Sequence, residues 1–99
     1  MNTIGKLTYA ATEAAHGYRT GAEAQASESM IQVIDLLAET LPSMPEKTII
    51  QLNQVLSEIF SAQQRSDFIW AADMLEYELC PRLQKATGLG QKHPGSKRP

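Results

Sequence analysis

Apolar residues recur every three or four positions through most of this chain, and no stretch alternates strictly between apolar and polar residues. The first spacing marks one face of an α-helix, whereas strict alternation is what a half-buried strand requires. The spacing therefore predicts an all-α fold, an antiparallel bundle of three to four helices. A chain of 99 residues is long enough for one such domain but too short for two independent cores.

The first part of the chain contains either two helices or one long one. The residues that share one face of the first helix are Ile4, Leu7, Ala11, Ala14 and Tyr18. They predict a helix over about 3–18. Gly17 and Gly21 then favour a break, because glycine inside a helix costs about 1 kcal/mol relative to alanine. A second apolar stripe predicts a helix over about 22–41, and a single helix over 3–41 is the alternative.

Prolines mark the link to the third helix. Pro42 ends the second helix because it lacks an amide donor and disfavours helical geometry in the preceding residue. Ser43 and Glu46 have the spacing of a capping box, with Pro45 in the first helical turn. We therefore expect a third helix from about Met44 to Gln64. The link is short, which predicts that the second and third helices pack antiparallel against each other.

A polar break precedes the fourth helix, and Ser66 or Asp67 is expected to cap it. This helix is predicted over 68–86, and Glu78 and Arg82 have the i, i+4 spacing of an ion pair. Pro81 is expected to kink the helix or to follow its end. The residues on its apolar stripe are Phe68, Ala72, Leu75, Leu79, Leu83 and Ala86.

The composition changes at Gly88, and residues 88–99 contain one large apolar side chain. Such a segment cannot bury enough surface to offset its ordering entropy, so we expect a disordered, flexible basic tail after a helical bundle over 1–87. The tail carries Lys92, Lys97 and Arg98 and no acid, whereas the remaining residues carry six bases and eleven acids. An acidic body makes nucleic acid an improbable partner.

Cys80 is the single cysteine, so the chain cannot form an internal disulfide, and a lone thiol suits a reducing compartment. The first residues lack the apolar core of a signal peptide, and no stretch reaches the roughly 18 apolar residues that span a bilayer. We therefore expect a cytoplasmic protein with no membrane partner.

Acidic residues and a histidine supply the alternative hypothesis, a metal-binding helical bundle. Glu13 and His16 have the Glu-x-x-His spacing of di-iron bundles, and Asp73 and Glu76 share the same spacing of three. The sequence contains no second Glu-x-x-His motif, so the ligand set is incomplete. Cys80 has no neighbouring histidine to lower its pKa, and no glycine-rich loop precedes a helix. The leading hypothesis therefore includes no catalytic residue, no metal and no cofactor.

The fourth helix holds half of the six aromatic residues of the chain. Trp70 projects about 160° from the apolar stripe, so it is exposed unless the helix is buried on all sides. With Met74 and Tyr77 it forms a second stripe that suits a protein contact. Asp73 lies beside this stripe, and its carboxylate is expected to accept a hydrogen bond from a backbone amide or a tyrosine hydroxyl. We take Trp70, Asp73, Met74 and Tyr77 as the candidate binding residues.

Residues 67–83 begin with Asp67 and an aromatic residue and continue with Ala-Asp-x-Leu-Glu-Tyr-Glu-Leu-x-Pro-x-Leu over 72–83. This segment resembles one in small bacterial helical proteins of undefined activity that are associated with motility gene neighbourhoods. The resemblance implies no catalytic residue and suggests a role beside flagellar assembly. Our leading hypothesis is therefore a non-enzymatic module, adaptor or chaperone-like, that binds another protein or forms a homodimer.

Overall fold

The computed structural model describes residues 3–86, which form four helices and their links. Helix α1 covers Thr3–Thr20, α2 covers Glu23–Thr40, and α3 covers Glu46–Gln64. Helix α4 covers 68–86 and has three parts, α-helical Phe68–Asp73, π-helical Met74–Leu79 and α-helical Cys80–Ala86. No strand occurs among these residues, so the predicted all-α fold is confirmed. The predicted tail over 88–99 lies outside the described residues.

The first segment forms two helices, which decides between the alternatives for residues 3–41. Gly21 has a φ of +81°, a left-handed conformation that ends α1 and that glycine adopts without strain. The Ala22 amide donates to the Gly17 carbonyl at 2.9 Å, which closes the turn. Gly17 is also buried where α1 meets α2, and a Cβ atom placed on it would lie 2.9 Å from that of Ala26. The two helices therefore pack unusually closely.

Helix α1 lies between α2 and α4, and α3 packs against α4. The sequence predicted that α2 and α3 pack against each other, and this prediction is wrong, because the two helices share no extensive contact. The reason is that α1 presents small side chains, among them Ala10 and Ala14, which let α2 approach it closely.

The link between α2 and α3 differs from the predicted capping box. Leu41–Ser43 form a 3₁₀ turn, and the Ser43 hydroxyl donates to the Thr40 carbonyl at 2.9 Å. Pro45 is extended and stands at the N-cap, so α3 begins at Glu46 without a side-chain cap. Because Ser43 belongs to the preceding turn, its hydroxyl does not reach the amide of Glu46.

Helix α4 begins as predicted, since the Asp67 carboxylate accepts a hydrogen bond from the Trp70 amide at 3.1 Å. The helix passes through Pro81 to Ala86, so of the two alternatives at Pro81 the one in which the helix ends before it is not observed. Instead, the turn before Pro81 widens, and the Cys80 amide donates to the Leu75 carbonyl in the i→i+5 pattern of a π-helix.

The core is one continuous cluster drawn from all four helices, and its largest fully buried side chains are those of Leu7, Leu37, Leu52, Ile59, Leu75, Leu79, Leu83 and Val33. Tyr18 closes one end of it, with its ring stacked on Phe68 at 5.5 Å between centroids. The Gln63 amide donates to the Tyr18 hydroxyl, and burial raises the pKa of that hydroxyl. Within residues 3–86 no helix combines the length and apolar character of a membrane span.

Candidate functional site

Two of the four candidate residues of α4, Trp70 and Tyr77, are exposed, whereas Asp73 and Met74 are half-buried. Trp70 is 41% exposed, and its indole N–H donates to the Glu58 carboxylate of α3 at 2.9 Å. Arg65 lies 3.6 Å from the same carboxylate. The Trp70 ring is therefore exposed on one face and held in orientation by a group on the neighbouring helix.

Arg19 of α1 organises the opposite edge of this surface. Its guanidinium donates to Asp73 at 2.8 Å and also to Glu76, and it lies 5.8 Å from the centre of the Tyr77 ring. Hydrogen bonding to Asp73 raises the pKa of Arg19, which stays charged. The predicted partner of Asp73, an amide or a tyrosine hydroxyl, is thus replaced by a guanidinium 54 residues away in the sequence.

The four predicted binding residues do not form one stripe. Trp70 lies at the α3 edge of α4, and Tyr77, which is 64% exposed, lies at the α1 edge. Met74 is half-buried and packs against the core. Ile69 is 57% exposed and was missed by the sequence analysis, although its position beside Trp70 was a signal for it. We call the group Ile69, Trp70 and Tyr77 the α4 outer surface.

The alternative metal site does not assemble in the described part of the chain. Among residues 3–86 no three His, Cys, Asp or Glu side chains converge closely enough to hold a metal ion. Asp73 and Glu76 both accept hydrogen bonds from Arg19, and a guanidinium between two carboxylates occupies the place a cation would take. Glu13 and His16 are not brought into a ligand group with them.

Cys80 lies half-buried between α4 and α1, with its sulfur 3.9 Å from the Thr8 carbonyl oxygen. Burial raises the pKa of the Cys80 thiol, so the reactive thiolate is disfavoured at neutral pH. The predicted ion pair on the same helix forms, with the Arg82 guanidinium 2.5 Å from the Glu78 carboxylate. Packing therefore accounts for Cys80, and an ion pair within one helix accounts for Glu78 and Arg82.

Exposed apolar side chains also lie on α2 and on α3. Ile31 of α2 is 59% exposed, Ile34 is 41% exposed, and Phe60 of α3 is 38% exposed. Phe60 and the half-buried Leu56 line one shallow depression along α3. The sequence marks Ile34 only as a widening of the α2 stripe, because a pattern within one helix does not reveal which neighbouring helices cover it.

Comparisons with known proteins give one result. The model of a family described as Domain of unknown function (DUF8042) matches residues 2–87, which is most of the chain, so the chain belongs to this family. We found no significant match among curated proteins or solved structures. The match covers the four-helix bundle, and the description of the family assigns no activity to it.

Proposed function

We propose that this member of the DUF8042 family is a non-enzymatic helical module that binds another protein through the α4 outer surface. The observation that carries the proposal is the exposure of Ile69, Trp70 and Tyr77 within about two turns of one helix. Large exposed apolar and aromatic side chains concentrated in one short stretch of helix are typical of protein contact sites, even though Trp70 and Tyr77 lie at opposite edges of α4.

The aromatic side chains of this surface are preorganised. Glu58 holds the indole of Trp70, and Arg19 lies against the ring of Tyr77 while Asp73 and Glu76 hold the guanidinium in place. A side chain that is already oriented loses less conformational entropy when a partner covers it. The ion pairs therefore support binding indirectly, by positioning the aromatic rings.

A role as an adaptor or chaperone beside flagellar assembly extends this proposal and depends on the resemblance of residues 67–83 to proteins associated with motility genes. A homodimer through the same surface is the alternative. Within residues 3–86 no three His, Cys, Asp or Glu side chains converge closely enough to hold a metal ion, which is compatible with either form.

Tyr77→Ser tests the proposal, with Tyr9→Ser on α1 as a matched control because Tyr9 is similarly exposed at 60%. We expect a protein partner captured by the wild-type chain and by the control to be lost from Tyr77→Ser. With that partner purified, Tyr77→Ser should raise its Kd at least about tenfold, the effect of a contact residue at an interface centre.

Trp70 provides a second readout, since it is the only tryptophan in the chain. Its fluorescence should shift to shorter wavelength when the purified partner binds, and sedimentation of the protein alone distinguishes a homodimer from a heteromeric complex. Equal capture by both variants, or unchanged emission on binding, would place the contact elsewhere and refute this proposal.

A further inference from the structure

We infer that the depression where the start of α3 meets the end of α4 binds a short acidic segment of a partner protein. The inference does not depend on the α4 outer surface. It follows from the cations that line this depression, from the unfavourable position of one of them, and from the charge of the rest of the bundle.

The depression has a volume of about 340 Å³ and lies between the first two turns of α3 and the last turn of α4. A second depression of about 290 Å³ adjoins it and shares Gln51, Arg82 and Lys85 with it. Lys47 of α3 lines the first depression opposite Arg82 and Lys85 of α4. We call Lys47, Arg82 and Lys85 the basic cluster. Among the described residues that line either depression there is no Asp or Glu.

Most of the charge of the basic cluster is not neutralised within the described part of the bundle. Lys47 and Lys85 are exposed and form no ion pair with another described residue. Arg82 pairs with Glu78 on its own helix. The other arginines among residues 3–86 each lie beside two carboxylates. The depression therefore keeps a positive charge that a ligand can meet.

The position of Lys47 is one that the stability of α3 does not favour. Lys47 lies in the first turn, at the positive end of the helix dipole, where a cation is unfavourable. Arg82 and Lys85 lie at the end of α4, where the dipole favours cations and gives them a structural use. The packing of α3 beside α4 then brings Lys47 to the same depression as these two like charges. An anionic ligand relieves this repulsion, which gives Lys47 a use in binding that it lacks in folding.

The remaining polar side chains suit carboxylates. Thr48 and Gln51 supply a hydroxyl and a side-chain amide at the same depression, and both groups can donate hydrogen bonds. A carboxylate is an acceptor with about four lone-pair sites, so it can use several of these donors at once. A short segment with two or three Asp or Glu residues therefore matches the number of cations.

The extent of the positive charge favours a short segment over a long polyanion. The basic cluster holds three of the six bases in residues 1–87, and the same residues hold eleven acids. A nucleic acid or an anionic membrane extends beyond the cluster and would meet these acids. Among the described residues that line the depression there is also no aromatic ring on which a nucleic-acid base could stack.

The probe for the test is a fluorescein-labelled peptide of alternating glutamate and serine, and its control replaces every glutamate with glutamine. We expect the full chain to bind the glutamate peptide at low salt. Lys47→Gln combined with Lys85→Gln should raise the Kd about three- to tenfold, because two charge contacts are removed. The same change should flatten the salt dependence of binding. Residues 88–99 are present in every variant, so their cations cannot account for a difference.

Two control variants separate the basic cluster from charge in general. Lys47→Arg combined with Lys85→Arg keeps both charges and should leave the Kd within about twofold of the wild type. Lys6→Gln removes an exposed lysine of α1 that lines a different depression, beside Asp35 of α2, and should also leave the Kd within about twofold.

Urea denaturation followed by circular dichroism supplies a readout that separates binding from folding. Because a cation is unfavourable at the start of α3, Lys47→Gln should leave the urea midpoint unchanged or raise it, although it weakens the peptide. A lower midpoint would show that Lys47 serves the fold and would contradict the inference.

Three binding results would also overturn the inference. One is equal binding of the glutamate peptide by the wild type and by the Lys47→Gln, Lys85→Gln variant, and another is equally tight binding of the glutamine peptide. The third is tighter binding of single-stranded DNA, or of vesicles that contain phosphatidylserine, that the same variant loses. Failure of the Tyr77→Ser test leaves these results unaffected, because Tyr77 does not line the depression.

Discussion

Gly17→Ala tests the close packing of α1 against α2. A Cβ atom at this position would lie 2.9 Å from the Cβ of Ala26 and 3.1 Å from both its Cα and its amide nitrogen. These distances are shorter than normal carbon contacts, and two of the three atoms belong to the backbone. The overlap can therefore be relieved only by moving the two helices apart, not by rotating a side chain.

Two opposing effects set the expected change in the free energy of unfolding. Alanine stabilises a helix interior by about 0.5–1 kcal/mol relative to glycine. Overpacking of a filled core costs about 1–3 kcal/mol. We expect the cost of overpacking to exceed the gain in helix propensity and to lower the free energy of unfolding by about 1 kcal/mol. This change corresponds to a fall in Tm of about 4–8 °C for a domain of this size.

Urea denaturation followed by circular dichroism measures this change, and a double-mutant cycle with Ala26→Gly assigns it. Removing the Cβ of Ala26 eliminates the shortest contact, so the combined variant should lose less stability than the sum of the two single changes, by about 0.5 kcal/mol or more. If Gly17→Ala is as stable as the wild type or more stable, helix propensity dominates and the close approach does not constrain the fold.

Three further outcomes follow from local contacts. Asp67→Ala removes the cap of α4 and should lower the free energy of unfolding in urea by about 1 kcal/mol. Arg19→Met should cost less than about 1 kcal/mol in the same assay, because its ion pairs are partly exposed, but should increase the mobility of the Tyr77 ring seen by NMR. Burial raises the pKa of Tyr18, so the folded protein keeps this proton to higher pH than the unfolded chain does. The contribution of Tyr18 to the free energy of unfolding is therefore fully present below the unfolded tyrosine pKa of about 10 and should be lost as pH rises above it. Urea titrations at several pH values measure this loss, which Tyr18→Phe should reduce.

Local signals in the sequence predicted the helices because short-range physics decides them. The apolar periodicity, the break at Gly21 and the cap at Asp67 each depend on residues within one or two turns. The capping box at Ser43 failed for an equally local reason, since the residues after Pro42 form a 3₁₀ turn that includes Ser43. A 3₁₀ turn and a capping box both require Ser43 there, and the spacing of the residues alone does not show which of the two forms.

The candidate site was predicted less completely because its contacts are distant in the sequence. The angle of Trp70 to the apolar stripe left two alternatives, an exposed indole or a helix buried on all sides, and the structure shows the first, with Trp70 and Tyr77 both exposed. The pairing of Arg19 with Asp73 depends on α1 lying against α4, which no pattern within either helix specifies. The lack of extensive packing between α2 and α3 was missed for the same reason, because a short link between two helices favours their packing together without requiring it.

The π-helical segment Met74–Leu79 affects how this family can vary in length. A π turn closes its hydrogen bonds over five residues where an α turn needs four, so it is equivalent to a helix with one residue inserted. Relatives that lack one residue here could keep an uninterrupted α-helix and the same buried leucines on either side. An alignment of the family should then place a single-residue gap within this segment, and the exposed side chains of α4 would be spaced differently in the shorter chains.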